Sequence, residues 1–354
     1  MDAPVKTLAV KSRRNHDSRQ QLIQQITSCW RTQALQVAVH LDLPDHLAAG
    51  RGDVQALAEA CQCAPDGVHR LLRALCALQV CRERRDGCFE LTAGGVALCR
   101  EPADGAPSLR AMAMWWGGPM WHMWADLAYS VRTGHSARAR QTGKSNYAFL
   151  DGRPDEAAVF HEAMQAMTAL ISEEVARLPT WRKAHELVDV GGGNGTLAAA
   201  VAVAHPQLNV TVFDRSDAER GARAMFKRRA LAARARFVTG DFFAAVPPGA
   251  DHYVLKSILH NWDDAACRRI LDQCAGAAPR GARLLLVERV RPDRLRPTRR
   301  DEALARTDLN MLAGQGGRER SLSEFGALLG PAGFEITGAS PTRHEFWVVE
   351  TRRI

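Results

Sequence analysis

The 354-residue sequence lacks any long apolar run: its longest weakly polar stretch, 196–204, falls far short of the ~20 apolar residues that span a bilayer. It is polar through Arg19, without the apolar core of a secretory signal. Both absences predict a soluble, cytoplasmic protein with no membrane partner. There is no CxxC pair among the nine cysteines, and no histidine stands at zinc-finger spacing from the tightest pair, Cys61 and Cys63. No metal site is expected, and the thiols are expected to be reduced and partly buried. With 46% hydrophobic and 24% charged residues, 28 Gly and 16 Pro, the composition excludes a disordered tail, a collagen-like repeat and a disulfide miniprotein.

What is present is enough for two units at about 150 residues per domain. The net charge of +8 is local rather than general: residues 280–306 carry nine arginines against four acids. A single arginine-rich stretch is weak evidence for a nucleic-acid partner. It fits a solvated surface or the attraction of an anionic substrate.

Residues 1–110 are expected to be the first domain, and within it 20–110 read as helices with a small hairpin. A largely apolar helix from Leu22 to Leu41 ends in the turn Asp42-Leu43-Pro44. Asp53 caps a second helix over 54–61, and a third starts at Pro65 with Val68, Leu72 and Leu75 on one face. Short strands then flank Arg85-Asp86-Gly87. Helix, helix, hairpin is the winged-helix order. The helix from Pro65 to Ala77 offers only Asp66, His69, Arg70 and Arg73 to a DNA backbone, so a scaffold that pairs subunits is the better reading. Residues 111–180 form a helical connector that opens with four of the eight tryptophans within ten positions, among them Trp115 and Trp121. Such a run builds a helix seam or lines a pocket for a planar ligand.

From 181 to 354 strands and helices alternate. Strands are expected over 186–190, 209–214, 235–241, 252–257 and 283–289, with two more over 335–339 and 345–350. This describes an α/β domain with a Rossmann-like, doubly wound sheet of seven strands and an antiparallel terminal strand. The first strand runs into Gly191-Gly192-Gly193-Asn194-Gly195, where glycines let the chain turn sharply and a ligand approach the next helix. Residues 193–198 also satisfy GxGxxA, so a nicotinamide or flavin ligand stays open on this loop alone. Asp214 closes the second strand, where a carboxylate can accept both hydroxyls of a ribose. Asp241, followed by Phe242, closes the third and offers an acceptor for an adenine amino group; either acid can instead cap a turn. His260 stands just past the fourth strand, Glu288 at the end of the fifth, and Glu319 in a later Gly-rich loop. A histidine with two acids on strand-end loops is a base with partners, although a lone histidine there can also buttress a helix.

With VDVGGGNG, GDFF and LKSILHNWDD in order, the chain resembles the class I S-adenosylmethionine-dependent O-methyltransferases of the caffeate and hydroxyindole type. It is more similar still to their bacterial relatives that tailor aromatic antibiotics and pigments. The resemblance spans nearly the whole chain. It implies that Gly191 and Gly193 back the methionine part of S-adenosyl-L-methionine and that Asp214 holds its ribose. Asp241 and Phe242 would hold the adenine, with Lys256 on the methionine side. It implies that His260 is the general base, flanked by Glu288 and Glu319, and that Phe160, Met164, Met167, Asn310 and Met311 grip the substrate. It further implies a homodimer paired through the N-terminal domain. Asn261 departs from the Asp of many plant members, and His161 from a common Asn.

The chemistry agrees with these roles. Proton transfer from a phenol (pKa about 10) to an imidazole (about 6.5) is uphill by about 5 kcal/mol, so His260 should accept the proton as the oxygen attacks the methyl group. The expectation is therefore O-methylation of a planar, polycyclic aromatic such as a phenazine or an aromatic polyketide, with S-adenosyl-L-homocysteine as the second product. The rivals are nitrogen or carbon methylation or another tailoring step on the same fold, a ligand-responsive DNA-binding regulator and a dehydrogenase.

Overall fold

The computed structural model describes residues 18–144 and 146–354. Local chemistry marks the helix starts of its first part. Asp53, extended, accepts the Ala56 N–H at 2.9 Å and opens Val54–Cys61. Pro65 fills the first turn of Pro65–Ala77, where a missing N–H costs nothing. The Val68, Leu72 and Leu75 stripe is buried with Val39, Leu43 and Leu57. The hairpin β1 (Cys81–Glu83) and β2 (Phe89–Leu91) pairs Cys81 with Leu91, giving the winged-helix arrangement.

The N-terminal part departs from expectation in two places. The helix expected from Leu22 to Leu41 is two helices, over 18–27 and Cys29–His40, parted at Ser28. The reason is local: the Thr27 hydroxyl donates to Ile23 O at 2.9 Å and that of Ser28 to Gln25 O at 2.7 Å, competing with the backbone ladder. The turn expected at 42–44 opens a short helix, Leu43–Ala48, with Asp42 left-handed (φ 53°) and Pro44 in its first turn.

The chain divides into two compact units, one ending at Pro119 and one spanning Met120–Ile354, so the boundary falls inside the Trp/Met run. The second unit holds β3 (Glu186–Val190), β4 (Asn209–Asp214), β5 (Ala235–Thr239), β6 (His252–Lys256), β7 (Arg283–Glu288), β8 (Phe334–Pro341) and β9 (Trp347–Arg353). Their spatial order is β5-β4-β3-β6-β7-β9-β8. The first five are parallel, and β9 runs antiparallel between β7 and β8. Consecutive residues such as Leu187 and Val188, or Leu285 and Leu286, fall in different apolar clusters, so both faces of the sheet are covered. β5 ends two residues earlier than expected because the Asp241 carboxylate takes the Phe243 N–H at 2.8 Å and turns the chain. β9 starts two residues late because Thr342 N–H donates to Phe346 O and closes a turn. No helix among the described residues is long and apolar enough to cross a membrane.

Candidate active site

The chain runs outward from β3 to β5, then returns to β6 beside β3. That reversal opens a crevice at the carboxyl ends of the strands, the place where open α/β sheets hold ligands. Five neighbouring strand ends supply one feature each: Asp241 after β5, Asp214 closing β4, the glycine loop after β3, Lys256 closing β6 and Glu288 closing β7.

The glycine loop is built for close approach. Gly191 (φ 71°) and Gly193 (φ 54°) are left-handed. A side chain on Gly191 would collide with Ile258, whereas the space above Gly193 is open. The helix Thr196–Ala204 starts directly behind the loop, aiming its free N–H groups at the crevice. Asp214 accepts the Gly193 N–H at 2.6 Å and the Arg215 N–H at 2.7 Å, yet burial still holds its carboxyl above the usual carboxylate range. Phe242 packs near Gly191 and edge-on to Trp262. The Lys256 ammonium donates to Thr168 Oγ1 at 3.0 Å; burial, with Arg289 nearby, lowers its pKa to about 8.

His260 lies on the one-turn helix Leu259–Asn261, held from three sides. Glu288 Oε1 accepts the Ile258 and Leu259 N–H groups at 2.9 and 2.8 Å. The His260 carbonyl accepts the Arg318 N–H at 2.9 Å. Gly317 packs so closely that a side chain there would run into the His260 carbonyl and the Asn261 backbone. The ring nitrogen Nδ1 is 3.2 Å from Glu319 Oε1 and 3.8 Å from Glu288 Oε2. Two carboxylates around one nitrogen place the proton on Nδ1 and leave Nε2 as the basic atom. Burial opposes the imidazolium, but the Glu288 and Glu319 charges outweigh it and raise the His260 pKa. Burial likewise raises that of Glu288. These three residues also form a donor cluster within 4.8 Å, close enough for metal ligation.

Phe160, Met164 and Met167 share one face of Pro154–Ala176 and are half-buried. Asn310 and Met311 lie on Arg299–Gly314, and Asn310 Oδ1 accepts the Trp124 indole N–H at 3.0 Å. Trp121 is exposed in the same unit; Trp115 belongs to the N-terminal unit and is buried.

Three residues escaped the sequence reading. Asp189 is buried with both oxygens unpartnered beneath Gly192, and burial, with Asp214 adding to it, pushes its carboxyl up to about 7. Its signal was a charge inside the apolar run LVDV. Arg320, fully buried, donates to Leu259 O and Trp262 O, both at 2.7 Å, and to Asp264 at 2.8 Å, clamping the His260 segment. Tyr147 sets its ring 5.7 Å from Phe160 and its hydroxyl beside the Asn261 amide.

Comparison with known proteins places the chain in a family. The model of the O-methyltransferase domain matches residues 124–335, and that of the O-methyltransferase dimerisation domain matches 23–100. The chain belongs to the O-methyltransferase family. It is 36% identical to the O-demethylpuromycin-O-methyltransferase of Streptomyces alboniger, over 86% of this chain and 81% of that one. It is 31% identical to the phenazine O-methyltransferase PhzM of Lysobacter antibioticus, over 94% and 96%. Among solved structures, the O-methyltransferase NcsB1 of neocarzinostatin biosynthesis, in complex with S-adenosylmethionine and 2-hydroxy-5-methyl naphthoic acid, superposes with a TM-score of 0.76. The two are 34% identical over 92% of this chain and 96% of that one. This methyltransferase uses S-adenosyl-L-methionine. Its own residues fit that ligand: open space over Gly193, a half-buried Asp214 for hydroxyls, and the unpartnered Asp189 carboxylate for a cationic group.

Proposed function

We propose that this methyltransferase methylates a phenolic hydroxyl of a planar, polycyclic aromatic metabolite, of the phenazine or aromatic polyketide class, as a cytoplasmic homodimer with His260 as general base. The observation that carries the reading is the buried His260, Glu288 and Glu319 cluster at the rim of the cofactor crevice. When bound, S-adenosyl-L-methionine supplies an electrophilic methyl group on a sulfonium. Gly191 and Gly193 back its methionine part, Asp214 takes the ribose hydroxyls, Asp241 and Phe242 the adenine, and Lys256 borders the methionine end. His260 Nε2 accepts the phenolic proton as the oxygen attacks, while Glu288 and Glu319 hold the proton on Nδ1 and stabilise the imidazolium. Phe160, Met164, Met167 and Met311 supply apolar surface for a flat ring system, Asn310 a polar anchor, and Trp121 further flat surface; the naphthoic acid held by the related structure supports a substrate of this shape.

The homodimer rests on an apolar face left exposed in the N-terminal unit. Leu22 and Ile26 on the helix over 18–27, with Ile23 beside them, and Trp30 just past the break at Ser28 are 55%, 67%, 54% and 69% exposed. The testing experiment is incubation with isotopically labelled S-adenosyl-L-methionine and a panel of hydroxylated aromatics, followed by mass analysis. Methyl transfer to oxygen on two- and three-ring phenols is the expected result; transfer only to single-ring phenols, or to nitrogen, contradicts the proposal.

A further inference from the structure

The helix Pro154–Ala176 crosses the carboxyl edge of the sheet and makes one polar contact with each strand end it passes. Thr168 meets Lys256 after β6 at 3.0 Å, Gln165 accepts from Asn194 in the glycine loop after β3 at 3.1 Å, and His161 Nε2 lies 3.3 Å from Asp217 Oδ2 after β4. The row continues beyond the helix: Arg215 donates to Asp151 at 2.5 Å and reaches Asp217 at 3.4 Å. Asp151, Arg215, Asp217 and His161 thus make a chain of alternating charge and polarity joining residues 151–161 to the loop that follows Asp214. The Arg215 backbone is at the same time a donor to the Asp214 carboxylate. Arg215 and Asp151 are about half exposed at the rim, whereas His161 is mostly covered.

We infer that these four residues form a latch at the β4 end of the cofactor crevice and set how fast S-adenosyl-L-homocysteine leaves. The inference rests on the reading of Asp214 as the ribose ligand. The latch contacts join protein groups only, so they favour closure with or without cofactor inside. Weakening them speeds entry and exit together and moves affinity less than either rate. Product release and lid opening limit turnover in many enzymes, which gives such a latch a direct effect on function. None of the four is a catalytic residue; they are positioning residues acting through the loop that carries Asp214.

The test is isotopic chase: enzyme loaded with labelled S-adenosyl-L-homocysteine is mixed with excess unlabelled compound, and the off-rate is read for wild type, Arg215→Ala, Asp151→Ala and the double variant. Titration calorimetry gives the affinities. Each single change should raise the off-rate about two- to fivefold, the scale of an exposed ion pair. The double variant should be no faster than Arg215→Ala alone, because that change already removes the Arg215 contacts to both Asp151 and Asp217. Dissociation constants should move less than the off-rates, and His161→Gln should stay closer to wild type than His161→Ala. Unchanged off-rates, additive effects, or off-rate and dissociation constant rising in equal proportion would overturn the latch. Asp214→Ala addresses the underlying reading separately: retained affinity in that variant contradicts the ribose assignment, whatever the latch variants do.

Discussion

At the scale of single residues the site is a contest between burial and charge. His260 is buried, which disfavours its charged form, yet two carboxylates hold its pKa above the ordinary value. As the proposed base, His260 must be neutral to accept a proton, so activity should be lost as pH falls through that raised value. The acidic limb of the kcat/KM profile should therefore lie above about 6.5. Glu319→Gln removes one of the charges that favour the imidazolium and should move the limb to lower pH; a limb that stays or rises contradicts the pairing. Arg320 is the least replaceable support of this segment. Arg320→Met leaves the Leu259 and Trp262 carbonyls without their donor and should cost about 3 kcal/mol in denaturant unfolding. The acids at strand ends could be found from the sequence, because strand periodicity tells where a strand stops. Arg320 and Asp189 could not be ranked this way: whether a charge is buried depends on what packs over it.

At the scale of elements, the strand-end turns and one-turn helices decide the chemistry. The segment Leu259–Asn261 is too short to hold itself in place. It is positioned by Glu288 below, Arg320 across it and the Gly317 backbone against it. Gly317→Ala should push the His260 backbone aside and lower kcat about a hundredfold while S-adenosyl-L-methionine affinity stays near wild type, measured by steady-state kinetics and calorimetry. The sheet itself was legible in the sequence because its strands are apolar runs separated by turn signals, and most ends fall within two residues of expectation. The N-terminal helix was misread at Ser28 because apolar spacing continues across the break; only hydroxyls bonding back to the chain reveal it.

At the scale of the whole molecule, the N-terminal unit leaves large apolar side chains in water that a lone chain has no reason to expose. Trp30→Glu should shift the species seen by sedimentation velocity from dimer to monomer, and an unchanged dimer would place the interface elsewhere. The +8 charge, ambiguous at first sight, resolves partly into fixed structural pairs: Arg289 with Glu345 and Arg291 with Glu324. Residues 292–300 that follow remain a solvated surface. Whether His260 takes a proton beside a separately built cofactor crevice is decided by one paired measurement on His260→Ala. Calorimetric affinity for S-adenosyl-L-methionine should stay within about twofold of wild type, while O-methylation of the best phenol acceptor falls by about 10²- to 10⁴-fold. Turnover that survives the substitution would contradict the account.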